Sequence, residues 1–344
     1  MNNSRKIEFD DLAQVLTWRT TEYDTLTALR AEYAESLRIA MGRFLDELTA
    51  IEPRSAEPLL TVLDSTGDDR LISILTTPAT SCRLITRRYS REEVRAHLLA
   101  EITAPGARTR VGYLGVVIGR IPVFRDPDNA PMRPVAERID RVFTGIATRS
   151  AAPVHYLPMV VRELWLRADR VRTGFLSNSP RGFVGRAVLT NPDLGIVDDV
   201  IVAEAVIHEA THGLLGMSEA VGLVAGTPWL RRAMPDDGRC RVVSPWTGRG
   251  LDLPTYLHAC FVWWGLLHLW AGLLGTGLFD ECRVRGRLRR AAAGFVDGAV
   301  AARLAECREV VDPALLRCLE RMSERALGLL ADMESSPYTD RAAQ

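Results

Sequence analysis

From Leu253 to Phe279 the chain carries no Asp, Glu, Lys or Arg, and the stretch includes FVWWGLLHLWAGLLGTGLF. So apolar a run has to leave water, either for a bilayer, which takes about 20 apolar residues to span, or for the middle of a folded core. His258, His268, the glycines of the distal half and the lack of a second hydrophobic span favour a buried core helix, and no membrane partner is expected. The remainder of the chain must then enclose that helix. A length of 344 residues, 47% hydrophobic and 25% charged, is ordinary for a soluble globular protein and sufficient for the purpose.

Helical periodicity dominates elsewhere. Leu12, Val15, Leu16, Tyr23, Leu26, Leu29, Tyr33, Leu37 and Met41 space one apolar face from Phe9 to about Glu52, and more helix is expected at 90–102 before TAPGARTR breaks the pattern. VGYLGVVIGRIPVF at 111–124 has the β-branched and aromatic content of one or two strands parted near Gly119. Val154 to Arg170 reads as a helix whose start is limited by Pro158. GFVGRAVLT at 182–190 reads as a strand, and NPDLG turns the chain into a helix capped by Asp198 or Asp199 and ended by Gly213 or Gly216. Helices at 283–294 and 306–333 suit a C-terminal bundle. The expected class is α+β, mostly helical with a small antiparallel or mixed sheet. Three regions are expected: helical at 1–104, a core holding the chemistry at 105–285, and helical at 286–344.

Lys plus Arg and Asp plus Glu each number 43, so no global field draws the chain to nucleic acid or an anionic membrane. Because nearly all the basic residues are arginine, an individual arginine carries little information. The six cysteines form no C-x-x-C pair and are scattered, which suits reduced thiols better than a disulfide framework. MNNSRKIEFDD lacks an apolar signal core, and a cytoplasmic location is expected.

His208-Glu209-Ala210-Thr211-His212 is an instance of H-E-x-x-H. Imidazoles four residues apart lie about 40° apart around a helix and one turn along it, so both can reach one metal ion. A catalytic ion usually takes a third protein ligand. The extended pattern H-E-x-x-H-x-x-G-x-x-H fails, since Leu215 stands at the glycine position and Ser218 at the third histidine. Glu219 reads more simply as a solvated residue, and Glu204 as a helix-face salt-bridge partner. His258 and His268, about 15 Å apart on a straight helix, cannot both serve one ion. His268 sits among Leu267, Leu269 and Trp270 as a core histidine would; His258, one turn after Pro254, is the candidate third ligand.

HEATH, then SPW at 244–246, then LHA at 257–259 resembles the HExxH-type peptide β-hydroxylases of ribosomally made peptide natural products, over roughly residues 175–275. The resemblance implies a zincin-like HExxH helix and an iron(II)- and 2-oxoglutarate-dependent oxygenase that uses O2 and acts on a precursor peptide. By that likeness His208, His212 and His258 are the iron ligands. Three facial ligands on octahedral iron leave two positions for the keto acid and one for dioxygen. The family often has arginine directly after the Trp, whereas this chain has Thr247, Gly248 and Arg249. Arg249 is the candidate clamp for the keto acid's carboxylate, because a guanidinium can hold one with two parallel hydrogen bonds.

Two other readings compete: a zinc metallopeptidase with Glu209 as the catalytic general base, and a non-catalytic zinc-stabilised binding domain. In an oxygenase Glu209 would instead orient a ligand or its helix. Trp246, Tyr256, Phe261, Trp263 and Trp264 are candidates for apolar cleft walls, although each reads more simply as core packing. An extended peptide substrate is expected to add to an exposed edge of the strand at 182–190.

Overall fold

The computed structural model describes residues 7–54, 56–57, 92, 94–96, 98, 113–118, 120–125, 132–149, 151–169, 171–180, 184–231, 241–296 and 299–335. The apolar face at the N-terminus is not one helix but two, α1 (Phe9–Val15) and α2 (Tyr23–Thr49). Trp18 breaks it, turning to φ +58 between them while its indole N–H donates to the Gly265 carbonyl at 2.7 Å. The buried hydrogen bond and ring burial offset an unfavourable left-handed backbone. Most of the helix expected at 90–102, and all of TAPGARTR, lie outside the described residues.

Two strands, β1 (Tyr113–Ile118) and β2 (Ile121–Arg125), pair antiparallel as the composition of 111–124 indicates. Next come α3 (Arg133–Arg149) and α4 (Ala151–Val160). The helix expected at 154–170 stops at Val160, and Glu163–Arg167 is instead strand β3. Pairing overrides local periodicity there. The amides of Arg162 and Glu163 both donate to the Gly185 carbonyl, at 2.7 and 3.3 Å, and β3 then runs parallel to its neighbour with Leu164 and Leu166 buried.

Strand β4 (Leu176–Asn178) and strand β5 (Arg186–Thr190) complete a mixed sheet of order β1-β2-β3-β5-β4. The strand expected at 182–190 therefore begins at 186, and it is no edge. It is held by β3 on one side and β4 on the other, which rules it out as the place where a peptide strand is added; β4 and β1 are the two end strands of the order. Asn191, in the left-handed region at φ +56, ties down the loop before β4: its Nδ2 donates to the carbonyls of Asp169, Arg172 and Gly174, and its Oδ1 accepts from the Asp169 amide.

After β5 comes the long helix α5 (Asp199–Val224), followed by β6 (Arg241–Val243), β7 (Gly250–Asp252), α6 (Leu253–Leu273), α7 (Glu281–Val296) and α8 (Pro313–Ser335). The class is α+β, mostly helical with a five-stranded mixed sheet and a two-stranded antiparallel one. The chain forms two compact units, Arg19–Pro228, and Met1–Trp18 with Trp229–Gln344.

In the first, Val123, Leu164, Leu166, Ala187 and Leu189 are all but fully buried, and α3 and α5 pack on the sheet. Each such valine or leucine side chain contributes roughly 1.5–3 kcal/mol, and the alanine methyl about 0.8 kcal/mol. In the second, α6 is the central helix among α1, α7 and α8, with Trp264 and Trp270 wholly enclosed and the Trp264 indole donating to the Ala13 carbonyl at 2.8 Å. The uncharged run is thus a core helix to Leu273, after which Gly275 and Gly277 take positive φ and turn the chain. Among the described residues the helix long and apolar enough to cross a membrane is α5, and 72% of that stretch is buried inside the protein.

Cys260, Cys282 and Cys318 are free thiols, but Cys307 is disulfide-bonded, which corrects the expectation of reduced thiols throughout. Spacing along the chain says little about which thiols meet in space. Cys82 and Cys240 lie outside the described residues.

Candidate metal centre

Helix α5 starts where Asp198 caps it, the carboxylate accepting from the Ile201 amide at 3.0 Å. The loop before it is fixed by Arg138 of α3, whose guanidinium donates to the carbonyls of Val197 and Pro192 at 3.0 and 2.9 Å. The helix then runs straight through Gly213 and Gly216 to Val224 rather than ending at either. The glycines serve packing. A Cβ on Gly213 would lie 2.6 Å from the Val160 carbonyl oxygen at the end of α4, and one on Gly216 would lie 3.3 Å from Val184 Cγ2.

Most of α5 is buried; Glu204, His208, His212, Gly216 and Glu219 lie along its less buried stripe. The rings of His208 and His212 have centroids 5.0 Å apart, inclined at 61°. The His208 side chain is 35% exposed and Glu209 only 1%, with 4.0 Å between His208 Nε2 and Glu209 Oε1. Both Glu209 carboxylate oxygens are enclosed and accept no hydrogen bond. Ser179, directly after β4, donates its hydroxyl to the Glu209 main-chain carbonyl at 3.2 Å, and the Thr211 hydroxyl donates to Ile207 O at 3.0 Å.

The imidazole pair fits two ligand positions of one divalent ion: neighbouring donors on a half-open stripe, with an enclosed, otherwise unpartnered carboxylate against one of them. Among the described residues, no group of three or more His, Cys, Asp and Glu side chains is arranged around a common metal position. Glu204 and Glu219 therefore add no third ligand to the pair.

His258 belongs to the other unit. It sits early in α6, whose start is set by Asp252, accepting from the Thr255 amide at 2.8 Å, and by Pro254 in the first turn. Its ring is half-buried, with its centroid 5.5 Å from that of Trp229. His268 packs edge-on to Trp264 at 4.3 Å, the setting of a core histidine. Tyr256, Phe261, Trp263 and Trp264 are buried in the same helix.

Arg249 is exposed in the turn joining β6 to β7. Trp246, in the same turn, is part of the core of its unit: it stacks on Trp263 at 5.6 Å, meets Phe295 edge-on, and donates its indole N–H to Ala291 O at 2.9 Å. Sequence reading missed Ser179 and Gly294. Neither has a local signal, since Ser179 acts on a residue 30 positions away and Gly294 is an interior helix glycine that accommodates the Trp246 ring.

No protein-family model matches this chain, and no curated protein matches it.

Proposed function

We propose that the chain is an iron(II)- and 2-oxoglutarate-dependent oxygenase that hydroxylates, at Cβ, a side chain of a ribosomally synthesised precursor peptide. The reading takes its chemistry from the resemblance carried by HEATH, SPW and LHA. The observation that favours it over a peptidase with the same signature is the enclosure of Glu209. A peptidase's general base has to take a proton from a water molecule, and a carboxylate with both oxygens shut away is poorly placed for that. An oxygenase needs no water activated there, and a carboxylate 4.0 Å from His208 Nε2 suits the task of orienting that imidazole.

In this reading His208 and His212 hold the iron, with His258 as the third ligand on the strength of the resemblance alone, and Arg249 binds the distal carboxylate of the keto acid. When bound, iron(II) and 2-oxoglutarate would supply the oxidising chemistry, dioxygen giving one atom to an unactivated C–H bond and the other to the succinate formed as 2-oxoglutarate loses carbon dioxide. The chain's own residues place the peptide and exclude water. Strand β4 is the docking edge for an extended peptide, because Ser179 links its end to the Glu209 main chain.

Anaerobic addition of iron(II) and then 2-oxoglutarate is the direct test. A weak visible charge-transfer band is expected, lost or much reduced in His208→Ala and in His258→Ala. A protein that takes up zinc alone and cleaves peptide bonds overturns the reading. An unchanged band in His258→Ala removes that residue as the third ligand.

A further inference from the structure

We infer that the peptide lies antiparallel along the outer side of β4 with the residue to be modified directly opposite Ser177, and that Leu176 and Asn178 select its two neighbours. That the occupant is a substrate rests on the oxygenase reading; the register rests on the sheet. Of the two end strands, β1 is blunted. Its register against β2 slips between Tyr113 and Val117, around Gly115 at φ +70, and a bulge turns an edge away from further pairing. β4 pairs with β5 without a slip, Leu176 with Thr190, Ser177 with Leu189 and Asn178 with Val188, and among the described residues nothing pairs with its outer side.

The hydrogen bonds of β5 show which main-chain groups of β4 are open. The Asn191 amide donates to Arg167 O at 2.7 Å, and Gly185 O accepts from the amides of Arg162 and Glu163, so the odd-numbered positions along β5 turn their N–H and C=O toward β3. Main-chain groups alternate in direction along a strand, and Val188 and Thr190 therefore turn theirs toward β4. Asn178 and Leu176, directly opposite them, are engaged with β5. Ser177 is left to present its N–H and C=O outward. An antiparallel peptide, the more stable pairing, exchanges two hydrogen bonds with Ser177 through a single residue, and that residue is the one held most firmly.

Side chains alternate as well. Phe175, Ser177 and Ser179 are partly buried while Leu176 and Asn178 are exposed, and Ser179 reaches the Glu209 carbonyl of α5. The peptide residue opposite Ser177 thus projects to the side of the sheet on which α5 lies, where a serine leaves room for it. Its neighbours project to the other side, the following residue beside Leu176 and the preceding one beside Asn178. Leu176 favours an apolar residue and Asn178 one that forms hydrogen bonds. Although β4 is only three residues long, it is tied at both ends: Asn191 Nδ2 donates to the carbonyls of Arg172 and Gly174 ahead of it, and the Ser179 hydroxyl donates behind it. A strand fixed in this way needs little ordering when a peptide arrives.

The probe is a set of acetylated, amidated pentapeptides Gly-X-Z-X-Gly, with Leu, Asn, Asp or Lys at each X and every amino acid in turn at Z. One portion is passed over the immobilised full chain and the retained peptides are sequenced; another is incubated with the chain, iron(II), 2-oxoglutarate and air, and mass spectrometry reads the gain of one oxygen at Z. Retained and oxidised peptides are expected to carry Leu after Z and Asn before it. Leu176→Lys should turn the preference after Z from Leu to Asp by about threefold and leave the position before Z alone, a change that misfolding does not produce. Ser177→Pro removes a donor that the β4–β5 ladder does not use, and should weaken retention about tenfold at an unchanged melting temperature. If oxygen is gained with a preference indifferent to both substitutions, the β4 register fails while the oxygenase reading stands. If retention responds to both substitutions and no peptide gains oxygen, the register stands and the oxygenase reading fails. A switch before Z instead of after it in Leu176→Lys means a parallel peptide and overturns the register. A wild type that neither retains nor oxidises any of the peptides overturns both.

Discussion

Glu209 is a carboxylate with little company: two enclosed oxygens, no hydrogen bond to either, and one imidazole nitrogen at 4.0 Å. Burying an unbonded charge costs several kcal/mol, whereas an amide of the same shape costs less. Glu209→Gln is accordingly expected to raise stability by about 1 kcal/mol, read from thermal unfolding, while iron(II) affinity falls less than about threefold. A loss of more than about 2 kcal/mol would mean that the carboxylate is held by a strong native contact. The sequence made the pair His208 and His212 legible because a spacing of four residues is a local property of a helix. It could not show that Glu209 is enclosed, nor that Ser179 bonds to its main chain, since both depend on residues brought from elsewhere in the chain.

Among the elements, those whose pattern is complete within themselves were readable: β1 and β2, the capped start of α5 at Asp198, and α6 behind Pro254. Those decided by a distant partner were not. The break at Trp18 depends on the Gly265 carbonyl, and β3 replaces helix because Gly185 and β5 claim its backbone. The glycines of α5 belong to the same class. Read locally, Gly213 and Gly216 are helix stops; in the fold they are points of close approach. An interior helix Gly→Ala change ordinarily gains about 0.5–1 kcal/mol. Gly213→Ala should instead lose about 1–3 kcal/mol, because the new methyl meets a backbone carbonyl at 2.6 Å that cannot move without shifting the end of α4. Gly216→Ala meets only a valine methyl at 3.3 Å and should fall between neutral and about 1 kcal/mol of gain. Urea midpoints at an unchanged m-value separate the two. Equal effects would show that the helix, rather than its neighbours, sets the tolerance at these positions.

At the scale of the molecule, the segment Phe9–Trp18 folds with the unit that includes the described residues from Trp229 onward, although the whole of Arg19–Pro228 intervenes in sequence. Leu12, Val15, Leu16 and Trp18 are buried there, the Trp18 indole donates to Gly265 O, and the Trp264 indole donates to Ala13 O. Asp10 is also ion-paired with Arg321 of α8, an exposed contact that adds little. Periodicity marks an apolar face but not the face it meets, so this partnership had no signature in the sequence. Removing residues 1–18 from the full chain should take several buried side chains from around α6 and strand the Trp264 indole N–H, a donor whose lost partner alone costs about 1–3 kcal/mol. The expected readout is regional. Amide exchange should accelerate across Leu253–Leu273, while Asp199–Val224, packed within its own unit against α2, α3 and α4, keeps its protection. Equal loss of protection in both helices would show that the two units unfold as one, and unchanged protection in α6 would show that the N-terminal segment is dispensable to its core.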